Sequence, residues 1–209
     1  MGITVALSTC GPLLEVALRM APDHIPSTVR LAGVSRRSSL LLAALDLLME
    51  DADAKPGSID RILVSRGPGS FTGIRSGLAT VSGLMEATGA RGLAFDSLTM
   101  QAARCIRTGI VWAAQPGRRG EVYGRQYRVG PVSAPEPLSE IEILSVEESA
   151  DRSPWVACEG LDLGDADRVE PPFGSAEALF RLVDLGVESE AMEPLYVEGP
   201  PIHGGGDCG

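Results

Sequence analysis

The chain of 209 residues has little of the side-chain chemistry that enzymes use near neutral pH. It holds two histidines, His24 and His203, so a histidine metal site or a Ser-His-Asp arrangement has almost nothing to draw on. Four cysteines, at positions 10, 105, 158 and 208, have no paired spacing, which excludes a zinc site or a disulfide framework and reads as reduced thiols. Aromatic residues make up only 4% of the chain, and no apolar run is long enough to span a bilayer. The first residues carry no charged-then-apolar leader pattern, so a cytoplasmic location is expected. Cations are also short: 18 Lys and Arg against 28 Asp and Glu leave a net charge of −10, which argues against a broad nucleic-acid surface. Any RNA would be held mostly by another subunit.

What is present is ordinary globular material, 44% apolar, with room for one large or two small domains. Its most specific stretch is Gly67-Pro68-Gly69-Ser70-Phe71-Thr72-Gly73-Ile74-Arg75-Ser76-Gly77. Before it, residues 59–65 alternate and then run continuously apolar, as a buried parallel strand does. After it, Ile74, Leu78, Val81 and Met85 recur at helical spacing, with Thr72 as the expected N-cap. The stretch therefore reads as strand, tight loop and helix N-terminus. A Walker A loop is excluded, because Gly69 to Gly73 is one residue short and Ile74-Arg75 stand where Lys and Ser/Thr belong. A dinucleotide fingerprint fits imperfectly, but the strand over 91–95 and Asp96 follow at nearly the right distance. A plain anion site at the helix N-terminus is the third alternative. The helix also has a face of small residues, Gly73, Ser76, Gly77, Thr80, Gly83 and Ala87, which suits close approach of another helix; spacing alone favours packing within the chain.

Strands fit residues 3–8, 14–19 and 27–34, the first two as a hairpin. A helix from Ser38-Ser39 to Met49 follows, apolar on almost every side, so it should meet another helix or chain besides the sheet. Then come the strand over 61–65, the glycine loop and its helix, the strand over 91–95 and a helix over 97–107. The order βββαβαβα predicts an α/β fold with a five-stranded mixed sheet, the architecture shared by ribonuclease H and the actin group. The strand pattern restarts at Gly109, so the expected organisation is a lobe over 1–108, a smaller one over 109–198 and a disordered tail over 199–209. Strands are expected at 109–114, 121–128, 140–144 and 155–158, and a helix at 175–185. Arg118, Arg119, Arg125 and Arg128 form the one basic concentration, read as a solvated hairpin face ahead of a phosphate contact.

A ribonuclease-H nuclease needs carboxylates on its central strands, and an actin-like ATPase needs an acid near the end of the first strand. Leu7, Ser8 and Thr9 stand there instead. Ser70 has no base near it in sequence and reads as a cap or turn residue. Residue chemistry thus points to an enzyme's scaffold without a visible catalytic set, and to a binding subunit.

The signature Gly67, Pro68, Gly69, Ser70, Phe71, Thr72, Gly73 and Arg75 resembles the GPGSFTGLRIG motif of the TsaB (YeaZ) family, subunits of tRNA threonylcarbamoyladenosine (t6A) biosynthesis. Leu78 to Leu84, Ser97-Leu98, Arg118 to Tyr123 and Pro194-Leu195-Tyr196 are similar to further family segments, in order. The resemblance implies an ASKHA (actin-like) fold with a reduced second lobe and no independent catalysis. Its implied partners are a TsaD homologue and a TsaE-type ATPase, with a homodimer when alone; no cofactor is implied for the chain itself, and ATP and a metal only in the assembled complex. It carries the partner face onto Leu41, Ala44, Leu45 and Leu48 of the first helix and Ser76, Thr80, Gly83 and Ala87 of the second. This chain departs from the family at Leu7-Ser8-Thr9 (usually Asp-Thr-Ser), at Arg37-Ser38 (His-Ser), at Gln115-Pro116 (Asp-Ala) and in lacking a helix after Tyr196. Two rivals stay open: a nucleotide- or dinucleotide-binding enzyme using the Gly67–Gly73 loop and Asp96, and an inactive glycoprotease-like protein.

Overall fold

The computed structural model describes residues 2–32, 37–118 and 120–198. The expected tail over 199–209, with His203 and Cys208, lies outside the described residues, as do Val34 and Arg119. The first sheet is built from β1 (Ile3–Ser8), β2 (Leu14–Arg19), β3 (Ser27–Leu31), β4 (Ile59–Ser65) and β5 (Arg91–Phe95), in the order β3-β2-β1-β4-β5. β1 pairs antiparallel with β2 and parallel with β4, so the meander passes into parallel crossovers at the central strand. Every residue of β1 is buried, which explains the near-continuous apolar reading of its sequence. On one face Ile3, Val5 and Leu7 meet α1 (Arg37–Asp51) and α2 (Phe71–Thr88). On the other, Ala6, Ala17, Leu63 and Phe95 meet α3 (Ser97–Ala103) and α5 (Ser175–Asp184).

The second sheet runs β10 (Trp155–Ala157), β6 (Gly109–Pro116), β7 (Glu121–Val129) and β8 (Glu136–Pro137), with β9 (Glu142–Ser145) also on β7. A one-and-a-half-turn helix, α4 (Val146–Ala150), follows β9 through a capping box between Ser145 and Glu148. Leu98, Ala102 and Cys105 of the α3 segment pack against Val111, Ala113, Tyr127 and Val156, so α3 lies between the sheets. It ends at Ala103, short of the expected 107, because Arg104 and Cys105 turn their amides to the carbonyls three residues back and tighten the last turn. α5, although late in the chain, covers the first sheet: Leu179, Phe180 and Leu182 fill the space beside Ala6, Ala17 and Leu63. This is an actin-like α/β architecture, as the element order predicts.

Candidate functional site

The glycine loop is held from three sides by the chain's own backbone. Gly67 (φ 111°) and Gly69 (φ 144°) adopt angles that disfavour side chains, and a Cβ on either would lie 2.4 Å from a carbonyl oxygen, that of Leu195 or Cys10 respectively. Ser97 donates its amide to the Gly67 carbonyl and its hydroxyl to the Pro68 carbonyl, both at 2.7 Å. Ser70, not Thr72, caps α2: its amide donates to the Cys10 carbonyl (2.8 Å) and its Oγ accepts from the Gly73 amide (3.2 Å). Helix formation begins one residue before Thr72, which leaves that side chain exposed on the first turn.

The end of β1 meets α2 directly. Thr9 is buried, and its hydroxyl donates to the Gly73 carbonyl at 2.8 Å. A Cβ on Gly73 would stand 2.0 Å from the Thr9 carbonyl oxygen, and one on Gly77 would stand 2.4 Å from Thr9 Oγ1. Two of the six small residues therefore serve closeness inside the chain. The same contact sets the end of β1 against the flank of the first two turns of α2. Leu7 is wholly buried, and among the described residues no three His, Cys, Asp or Glu side chains are grouped to hold a metal. Positions 7–9 therefore supply no acidic side chain at the end of β1 to hold a metal.

Asp96 is likewise committed. It caps α3, accepting from the Leu98 amide at 2.6 Å and the Thr99 amide at 3.2 Å, and it faces the Arg125 guanidinium at 3.7 Å. Burial pushes its carboxyl up to about 6, against the lowering effect of those amides. Being 5% exposed, it does not reach a ribose hydroxyl.

A C-terminal strap closes the outside of the loop. The Arg66 guanidinium pairs with Glu190 and donates to the Glu193 carbonyl at 2.9 Å, while the Leu195 amide donates to the Arg66 carbonyl at 2.8 Å. Tyr196 stacks on Phe71 with ring centroids 5.1 Å apart and accepts from Arg75 Nε at 3.2 Å. Glu198 then reaches the β6–β7 hairpin, accepting from the Tyr123 hydroxyl at 3.0 Å and lying 3.5 Å from Arg118 Nε. The cleft left between loop, hairpin and strap is small, about 110 Å³. Of the basic hairpin, Arg118, Arg125 and Arg128 each face an acid (Glu198, Asp96 and Glu136), which disfavours them as a phosphate surface. The strap's role was hidden in sequence, because neither Pro194-Leu195-Tyr196 nor Arg66 has a local pattern that names its distant partner.

The two outer helices separate the expected partner residues. Leu41, Ala44, Leu45 and Leu48 are at most 5% exposed and form the inner face of α1, so they are not free to meet another molecule. The open side instead carries Leu40 and Leu47 along one edge, exposed by 39% and 57%, and Leu42, exposed by 46%, along the other, with Ala43 between them. Asp46 and Glu50 lie on this open side, and their phase was the available signal. On α2, Ser76 and Thr80 are half-buried, Gly83 and Ala87 are exposed, and a Cβ on Gly83 would meet nothing within 4 Å. α1 and α2 share one core cluster on the same side of the sheet, so their outer sides adjoin.

Residues 34–141 match the family described as TsaD, tRNA N6-adenosine threonylcarbamoyltransferase. The tRNA threonylcarbamoyladenosine biosynthesis protein TsaB of Bacillus subtilis (strain 168) is 32% identical over 125 residues, covering 59% of this chain and 54% of that protein. An uncharacterized protein of Mycobacterium leprae (strain TN) is 31% identical over 176 residues, 81% of this chain and 45% of its own length. The chain thus spans about half the length of these curated relatives. Among solved structures, YeaZ from Pseudomonas aeruginosa superposes with a TM-score of 0.73 at 24% identity, covering 94% of this chain and 100% of the other.

Proposed function

Because the chain belongs to the family described as TsaD, tRNA N6-adenosine threonylcarbamoyltransferase, and groups within it with the TsaB/YeaZ proteins, we propose that it is a non-catalytic subunit of the t6A machinery. In this reading it binds a TsaD homologue and holds that catalytic subunit in its working form. The observation that carries the reading is the outer flank of α1 and α2. Leu40 and Leu47 are apolar and exposed along one edge of α1, and the open side of α2 is nearly flat at Gly83 and Ala87. Such a surface gains from being covered by a second helical pair. The free chain would pair with itself through the same flank, and a TsaE-type ATPase would join the assembled complex. ATP and a metal would enter with that complex rather than with this chain, whose β1 end is closed by α2.

The test is co-expression with a TsaD homologue. Leu47→Arg and Gly83→Arg place a charge on each half of the flank at sites open enough to leave the fold intact. Both variants should fail to co-purify with the partner while keeping the wild-type circular dichroism spectrum. Pairing at wild-type yield in both would show that the flank is not the contact. Calorimetry of the chain alone with ATP or NAD(P) should give no binding heat; saturable heat would instead favour the nucleotide-enzyme alternative.

A further inference from the structure

Strand register places four residues in one row across the first sheet. Thr4 of β1 lies opposite Arg19 of β2 and Arg61 of β4, and Arg61 lies opposite Arg91 of β5. Side chains opposite one another in a sheet point to the same face, and here that is the face covered by α5, since Leu63, Leu93 and Phe95 follow at the next positions. Arg19 is neutralised: it makes a two-pronged pair with Asp184 at 2.6 and 2.8 Å and lies over the Phe180 ring. Arg61 and Arg91 are not. Among the described residues neither side chain has an ion pair or a hydrogen bond, although their backbones are neighbours at roughly the 4.8 Å spacing of adjacent strands.

Two like charges side by side destabilise a sheet, and in a chain of net charge −10 an acidic partner would be easy to supply. The nearby acids do not pair with them. Asp60, in the bulge between Ile59 and Arg61, turns its carboxyl towards Gly2 and lines a cavity together with Thr4, Arg61 and Arg91, yet makes no ion pair with either arginine, and Asp184 serves Arg19. Glu188 and Ser189 stand exposed at the rim, and Glu188 makes no pair with either arginine. The last carbonyls of α5 are taken by the chain's own amides: Leu185 donates to Arg181, Val187 to Leu182 and Gly186 to Val183. Between the arginines and the end of α5 lies a groove of about 470 Å³, walled by Leu93, Phe95, Val183 and Val187.

We infer that Arg61 and Arg91 form a site for a small phosphomonoester, the two guanidiniums gripping the phosphate while an apolar or aromatic body lies in the groove. Paired guanidiniums present forked donors matched to phosphate oxygens, and the apolar wall gives the remainder of the ligand somewhere to be buried. This site lies on the α5 face of the sheet, away from the α1/α2 flank, so it is independent of the pairing proposed above.

The test uses the full chain with inorganic phosphate and phenyl phosphate as probes, followed by calorimetry and by thermal melting. Phenyl phosphate should bind saturably and more tightly than phosphate, and Arg61→Gln/Arg91→Gln should weaken it by roughly tenfold or more. Arg107→Gln, which removes one positive charge at an exposed position outside the groove, should leave binding unaltered. Without ligand, the double variant and Arg91→Gln alone should melt no lower than wild type, because removing adjacent like charges relieves repulsion. The inference is overturned by absence of saturable binding to the wild type, by binding that survives the double substitution, or by equal weakening in Arg107→Gln. A lower melting temperature in unliganded Arg91→Gln would also overturn it, by giving the arginines a structural role.

Discussion

Three glycines in one helix should respond in opposite directions to the same substitution. In the interior of an exposed helix, Gly→Ala stabilises by about 0.5 to 1 kcal/mol, because alanine loses less backbone freedom on folding. Gly83 meets that condition, since an added Cβ would have nothing within 4 Å, so Gly83→Ala should gain that amount and raise the melting temperature by about 2 to 4 °C per kcal/mol. At Gly77 the new Cβ would stand 2.4 Å from Thr9 Oγ1, an atom fixed by its bond to the Gly73 carbonyl. Overpacking of this kind costs about 1 to 3 kcal/mol, which outweighs the helical gain. At Gly73 the obstacle is the Thr9 carbonyl oxygen at 2.0 Å. Backbone does not rotate away, so α2 must shift from β1 and the loss should reach about 3 kcal/mol or more. Adding Thr9→Ala to Gly77→Ala removes the obstructing hydroxyl and should recover at least 1 kcal/mol or so relative to additivity, whereas it should do little for Gly73→Ala. Urea denaturation followed by circular dichroism measures the wild type and the six variants, Thr9→Ala alone included. Equal stabilisation by alanine at positions 73, 77 and 83 would refute the close contact between β1 and α2.

Asp96 supplies a pH test. Its carboxyl is raised from 3.8 to about 6, so folding takes up a proton between those values and this group's contribution to stability is lost as pH rises through the window. Asp96→Asn keeps an oxygen for the Leu98 and Thr99 amides and removes the buried charge. It should flatten the stability profile between pH 4 and 6 and, at pH 8, stabilise by up to about 3 kcal/mol; an unchanged slope would remove Asp96 as its source. For the strap, Tyr196→Ala deletes the stack on Phe71 and the bond from Arg75, a loss of about 1 to 2 kcal/mol. Limited proteolysis should then cut within residues 190–198 faster than in wild type, and an unaltered cleavage rate would show that the strap is held elsewhere.

Local chemistry determined the strands, the helix after the glycine loop and the order of elements, because periodicity, glycine placement and apolar runs act over a few residues. The missing acid at Leu7 and the scarcity of histidine were also plain in the letters. Which side of α1 is inside was marked only by the phase of Asp46 and Glu50, since Leu40, Leu41, Leu42, Leu45, Leu47 and Leu48 look alike in composition and the sheet beneath selects Leu41, Leu45 and Leu48 for burial. Tertiary structure alone decided that α5 returns to the first sheet, that residues 190–198 strap the loop, and that Arg61 and Arg91 become neighbours. Each of these depends on pairing across tens of residues, where strand register and helix packing, not propensity, set which side chains meet.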